Sequence, residues 1–417
     1  MTRLAPAQLC YKLRAPDCGG KPAGQKRQNR MKSIGGLSDF AARLRRVIRA
    51  STRRMPPRTE IPPGAECQAR PGPWRACLTD AAFNSLALEL FGLQFEHNAP
   101  YRRLCQARNA SPEDAADWSR IPAAPTAAFK ELELSCLPPE ERTTVFYSSG
   151  TTGQQRSRHF HNGQSLALYR ASLTPWFEAN VMDCGCGIED WQLSILAPAP
   201  EQAPHSSLVH MFETVRRRLG SPGSAFLGQA AADGAWSLDL EAATAALESS
   251  VRSARPLLLL GTAFMFVHLL DHLAKHGLEL ELPPRSRAME TGGYKGRSRA
   301  MPAGELRALI TRRLGIPPAR IIREYGMSEL SSQAYAPPGA PRAFRFPAWA
   351  RVKIISPETG REAAEGETGL LRVFDLANVF SVLAVQTEDL AVGRADGFEL
   401  LGRAALAEPR GCSLMAQ

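Results

Sequence analysis

Long uninterrupted apolar runs are missing from this chain. The most apolar stretch, PLLLLGTAFMFVHLLDHL (256–273), is broken by Gly261, Thr262 and His268 and is shorter than the roughly 20 residues a bilayer span needs. A buried strand, turn and helix is expected there, and no stable membrane span. Paired cysteines are also missing: nine cysteines are scattered without one CxxC, the nearest being Cys184 and Cys186. That spacing argues against a structural zinc site and for free thiols in a reducing compartment. The basic start carries no apolar segment ending in a small-residue cleavage site, so a cytoplasmic protein is expected.

Basic charge is scarce outside the beginning of the chain. Residues 1–60 hold 15 Lys/Arg against 3 Asp/Glu, a local +12 within a total of +10, so the other 357 residues carry −2. A polyphosphate backbone would find no basic surface on the body, which excludes nucleic acid as the main partner. No GxGxxG follows a strand, so the chain lacks a nicotinamide-binding fingerprint. Apolar residues at 44% and charged residues at 22% are ordinary soluble globular usage.

Residues 1–74 read as a basic, disordered leader and linker with one amphipathic helix. LSDFAARLRRVIRA puts Leu37, Phe40, Ala41, Leu44, Val47 and Ile48 on one helical face and arginines mostly on the other. Such a helix suits a membrane surface, a transit signal or a dispensable extension. Prolines 56, 57, 62, 63, 71 and 73 form the linker. From about residue 75, helical segments such as 81–98 and 165–182 alternate with strand-like runs, among them WQLSILAP, PLLLLG, ARIIREYG and ARVKIIS. This alternation predicts an α/β body over 75–403, with a short tail over 404–417.

The chemistry concentrates in VFYSSGTTGQQRSRHF (145–160). Its glycines allow close backbone approach, successive amides can form an anion nest, and hydroxyls add donors. The lysine of a Walker loop is absent. Alone, such a loop is more often plain surface, but REYGMSELSS (323–332), TED (387–389) and DGFELLGRA (396–404) follow in order. Together these stretches resemble the successive core motifs of the adenylate-forming superfamily, which contains acyl-CoA synthetases and adenylation domains.

The resemblance implies the large N-terminal domain of that fold, with layered sheets and helices. It implies that Ser148, Ser149, Gly150, Thr151, Thr152 and Gly153 hold the ATP phosphates, with Arg156 beside them. Tyr325 and Gly326 would lie against adenine, Ser328 at the α-phosphate, Glu329 on Mg²⁺, Asp389 on the ribose hydroxyls and Arg403 near the hinge. The chemistry needs them: a carboxylate attacking an anionic α-phosphorus requires cations and a metal to offset charge. An acceptor-only carboxylate suits a ribose diol.

Further stretches are more particular: SSGTTGQQRSRHF, SSLVHMF (206–212), ETGGYKGRSR (290–299), EYGMSELSSQAY (324–335) and RGCSL (410–414). They resemble the acyl-protein synthetase of the bacterial bioluminescence fatty-acid reductase complex and its relatives. That resemblance implies an acid–thiol ligase forming acyl-AMP, then a thioester on a cysteine near its own C-terminus, for a partner reductase. Cys412 matches that cysteine, and Arg410 beside it would favour the thiolate. Only 14 residues follow Arg403, too few for the lid domain and catalytic lysine of acyl-CoA synthetases. Lys295, after Gly292 and Gly293, is the candidate replacement cation. For the acyl pocket the candidates are His210, Phe264 and Met265, the latter two also fitting plain core. Two rivals remain at this stage: a phenylacetate-CoA-type ligase acting on CoA or a carrier thiol, and a non-catalytic nucleotide-binding subunit.

Overall fold

The computed structural model describes residues 23–53, 78–148, 155–182, 191–232, 234–292, 301–336, 343–395 and 397–404. Among them run helices α1 (Ala23–Arg53), α2 (Asp80–His97), α3 (Ala99–Gln106), α4 (Ala128–Glu131), α5 (Gly163–Val181), α6 (Ser207–Leu219), α7 (Leu240–Ser253), α8 (Ala263–Lys275) and α9 (Ala303–Leu314). The strands are β1 (Ala124–Pro125), β2 (Thr144–Tyr147), β3 (Arg158–His161), β4 (Gln192–Pro198), β5 (Ala225–Ala230), β6 (Trp236–Leu238), β7 (Leu257–Thr262) and β8 (Arg287–Thr291). They continue with β9 (Ile321–Tyr325), β10 (Ala334–Ala336), β11 (Ala343–Phe344), β12 (Ala350–Ile355), β13 (Thr368–Asp375), β14 (Ala384–Arg394) and β15 (Gly397–Arg403).

Two main sheets result. One runs β10-β9-β8-β7-β4-β5-β6, parallel from β9 to β5 with antiparallel strands at both edges. Strand β7, LLLLGT, is buried at every position, as expected of a parallel strand covered on both faces. The other sheet runs β11-β15-β14-β13-β12, antiparallel throughout, with β1 pairing parallel to β14. A hairpin of β2 and β3 stands apart. Helix starts are set by side-chain caps that accept otherwise unpaired amides: Asn162 on α5, Ser206 on α6, Asp239 on α7 and Thr262 on α8.

The amphipathic helix is present, but its surroundings correct the reading of a disordered leader lying outside the body. Leu37, Phe40, Ala41, Leu44 and Ile48 are each at most 2% exposed, and α1 packs against α5 and α2. A face with that spacing lowers its free energy by leaving water, and here the body itself offers the apolar partner. It is not available to a membrane. Replacing Phe40 or Leu44 with alanine should therefore cost roughly 2–5 kcal/mol. Urea unfolding of the full chain checks this; an unchanged midpoint would show that the helix lies outside the fold.

Candidate active site

In a parallel sheet the carboxyl ends of the strands share one edge, and this edge gathers the motifs. Strand β8 ends at Thr291 and Gly292, β9 ends at Tyr325 and leads to Ser328 and Glu329, β4 leads to His205–Leu208, and β5 leads to Ala231–Gly234. The antiparallel sheet supplies the facing wall through Asp389 on β14 and Arg403 on β15, paired in register.

Tyr325 joins the two sheets. Its hydroxyl donates to Asp389 Oδ2 at 2.8 Å, while Arg403 Nε lies 3.4 Å from Asp389 Oδ1 and its guanidinium also pairs with Glu388. Around the Tyr325 ring stand Phe344, Phe346 and Phe398, with centroids 5.5–6.2 Å away. Phe346 and Phe398 stand edge-on to the Tyr325 ring, at 89° and 81°, and all four rings are buried, which fixes the tyrosine beside the Asp389 carboxylate.

On the other side of the turn, Glu329 is almost completely buried. Its Oε1 accepts from the Ser157 hydroxyl at 2.7 Å, and its Oε2 has no protein partner among the described residues. Ser157 also closes the neck of the SSGTTG loop: its amide donates to Ser148 Oγ at 2.9 Å, and the Ser148 amide donates to its carbonyl at 3.1 Å. One serine thus ties Ser148, at the base of the SSGTTG loop, to the carboxylate of the turn. The turn is braced from behind by Asp375, a buried carboxylate that accepts from the Ser331 and Ser332 amides, the Ser332 hydroxyl and the Ala377 amide at 2.7–3.0 Å. Asn378 Nδ2 donates to the Glu329 carbonyl at 2.9 Å. Ser328 Oγ donates to the Tyr147 carbonyl at 3.2 Å, and His159 Nδ1 bonds the Ser328 carbonyl at 2.8 Å.

A Cβ at 326 would lie 2.4 Å from Glu324 Oε1, so any larger residue there would have to push the Glu324 carboxyl aside. Gly292 has φ 76°, a conformation side chains resist. Glu324 takes the Thr291 hydroxyl as donor, which links the ends of β8 and β9. Burial pushes the Glu324 carboxyl up to about 7, the Thr291 bond opposing and the Glu290 charge assisting; Tyr169 and Tyr335 also lie close enough to feel its charge. The folded state therefore keeps a proton that the unfolded chain releases near 4.5. This group's contribution to stability is full below about 4.5 and is lost as pH rises through about 7. Glu324→Gln should flatten the unfolding free energy across that window, read by urea titrations at several pH values. An unaltered slope would contradict the burial argument.

Some expected residues fall elsewhere. Arg156 reaches the cleft beside Ser148, but Arg158 turns to Glu133 at 3.5 Å. Phe264 and Met265 are core residues of α8, with Phe264 against His268 at 4.2 Å; the structure does not bring them to the cleft. His210 packs between Phe146 and Tyr169 at 5.3 and 5.4 Å, and burial pulls its imidazole down to about 4, so it is neutral. Ser149, Gly150, Thr151, Thr152, Gly153, Gly293, Lys295 and Cys412 lie outside the described residues. Sequence reading missed Ser157, Asp375 and Glu324, although Ser157 and Glu324 sit inside the quoted motifs. Among the described residues no group of three or more His, Cys, Asp or Glu is gathered for a metal, and no helix is long and apolar enough to cross a membrane.

The layered sheets and the site at their junction define the fold of an adenylate-forming ligase. Solved structures agree: 2-hydroxyisobutyryl-CoA ligase in complex with 2-HIB-AMP and CoA matches with TM-score 0.61 at 15% identity, over 84% of this chain and 75% of that one. The same ligase in its postadenylation state matches at 0.60 and 14%, over 83% and 72%. The long-chain-fatty-acid–luciferin-component ligase of Aliivibrio fischeri is 20% identical over 317 residues, 74% of this chain and 78% of that protein. A family model described as acyl-protein synthetase, LuxE, matches residues 67–417. The chain belongs to that family and is a ligase. Helix α1 precedes the matched region.

Proposed function

We propose that the protein activates a carboxylic acid, a fatty acid by its family, with ATP as acyl-AMP, and passes the acyl group to Cys412 as a thioester for a partner reductase or carrier. The observation that carries this reading is two clusters at the ends of one short turn: Tyr325, Asp389 and Arg403 at one end, and Ser157, Ser148 and Glu329 at the other. They pair a place for base and ribose with one for phosphates. In the first step an acid oxygen bonds to the α-phosphorus as the bond to the β-phosphate oxygen breaks, and pyrophosphate leaves with that electron pair. The loop Ser148–Gly153 and Arg156 hold phosphate oxygens by amide, hydroxyl and charge. Lys295 supplies the point charge at the α-phosphate or the attacking carboxylate.

Glu329 fits Mg²⁺: one carboxylate oxygen is held by Ser157 and the other is buried without a partner among the described residues. A single carboxylate together with substrate phosphates is the usual protein share for that ion. When bound, Mg²⁺ offsets charge on the phosphates.

The test is acid-dependent ATP–pyrophosphate exchange over an acid panel, followed by mass spectrometry of the protein. The expected result is exchange with one acid class and an acyl adduct on Cys412. Exchange without an adduct, with CoA thioester accumulating when CoA is added, would instead favour a phenylacetate-CoA-type ligase. Absence of exchange with every acid would favour a non-catalytic nucleotide-binding subunit.

A further inference from the structure

A cleft of about 280 Å³ opens beside the phosphate loop. Its inner wall is Tyr147, Ser148, Arg156 and Ser328. Its outer wall comes from segments to which no nucleotide role is assigned: Gln202–Leu208 after β4, and Ala230–Ala232, Gly234 and Trp236 around the β5–β6 turn. The cleft therefore meets Ser328, the residue proposed for the α-phosphate, and Asp389 is not among its lining residues. It lies just below the usual span of small-molecule pockets, roughly 300–1,000 Å³, and its alanine and glycine wall admits a narrow arm.

We infer that this cleft is the port through which Cys412 reaches the acyl adenylate; the inference rests on the transfer step proposed above. The occupant is the chain's own segment around RGCSL. Ala404, the last described residue, is anchored beside the ribose site, its amide donating to the Glu388 carbonyl at 3.0 Å. Cys412 lies eight residues further on, a reach of about 26 Å when extended. The tail's anchor and the cleft's inner wall are joined by a short chain of contacts. Asp389 touches both Arg403 and Tyr325, and Tyr325 lies three residues from Ser328, at most about 11 Å of backbone. Gly411 and Ser413 flank the cysteine, small residues that match the narrow wall.

The cleft also provides what thiol transfer needs. His205 lines it, and its Nδ1 faces the Val145 carbonyl at 3.1 Å. A carbonyl can only accept, so Nδ1 carries the hydrogen and Nε2 is left as a base. The first turn of α6, Ser206–Leu208, presents its amide end to the same space, which favours a thiolate. In the step, the Cys412 thiol gives its proton to His205 Nε2 and sulfur bonds to the acyl carbon. The acyl carbon–phosphate oxygen bond breaks, and AMP leaves with the electron pair.

The test uses the full chain with ATP, Mg²⁺ and an acid active in exchange, following the Cys412 peptide by mass spectrometry. Ala231→Trp fills the rim of the cleft at an exposed position outside the nucleotide site. It should keep exchange within about two-fold and slow Cys412 acylation more than about tenfold, 1.4 kcal/mol of barrier, while Ala231→Ser behaves as wild type. Acylation of Ala231→Trp at the wild-type rate would overturn the port, and so would loss of its exchange, which would move the cleft into the adenylation step. His205→Ala should likewise slow acylation and spare exchange; an unchanged rate removes the base assignment. A wild type that exchanges but never acylates Cys412 sinks the transfer step itself, a different failure from that of the cleft.

Discussion

Replacing Cys412 with alanine is expected to leave acid-dependent pyrophosphate exchange within about two-fold of wild type and to abolish protein acylation. Exchange reports only the reversible attack of the acid on the α-phosphorus, and no sulfur takes part in that step. Thioester formation, by contrast, has no substitute nucleophile in the proposed scheme, so its loss should be complete and not partial. Cys412→Ser separates chemistry from shape: a hydroxyl in the same place is a far weaker nucleophile at neutral pH and should also fail. The buried cysteines serve as internal controls. Cys105 and Cys136 are enclosed, and burial pushes the Cys105 thiol up to about 11, so neither offers a ready thiolate. An adduct persisting on the Cys412→Ala protein would place the acceptor elsewhere.

Asp389→Ala should lower exchange by roughly two orders of magnitude, with a large share appearing as a raised KM for ATP. Hydrogen bonds to a charged group contribute about 1.5–3 kcal/mol each. A carboxylate receiving a ribose diol therefore accounts for roughly 3 kcal/mol, about 10²-fold. The variant also takes a partner from its neighbours, since Tyr325 loses its 2.8 Å acceptor and Arg403, which keeps Glu388, loses the carboxylate 3.4 Å away. Tyr325→Phe removes only the first of these contacts and should cost less, which separates the ribose role from the bracing role. Thermal unfolding of each variant guards against simple misfolding. An Asp389→Ala enzyme with wild-type KM for ATP would refute the ribose assignment.

The family and fold were readable in advance because the motifs that carry them are local and ordered. SSGTTG follows β2, EYGMSEL spans the end of β9, TED lies within β14 and the GR element closes β15, each a few consecutive residues, and their order along the chain carries the resemblance. What could not be read was partnership across the chain. Ser157 and Glu329 are 172 positions apart yet share a hydrogen bond. Asp375 braces Ser331 and Ser332 from another sheet, and nothing in the residues around it marks it. Phe264 and Met265 fitted either a pocket or plain core by their place beyond a strand end, and α8 buries them in the core.

Helix α1 makes the same point for the fold. Its periodic apolar face and its arginines were plain in the residues, and both the helix and its amphipathic character follow from local spacing. Where that face goes was not decided there, since a membrane and a protein core both remove it from water. The chain alone determined the α/β alternation, the adenylate-forming motifs and the helix itself, because short-range geometry and chemistry specify them. Only the tertiary structure decided that α1 is core, that Ser157 joins Ser148 to Glu329, and that a cleft opens beside Ser328. Those outcomes depend on which distant surfaces meet when apolar area is buried, and spacing along the chain does not encode that directly.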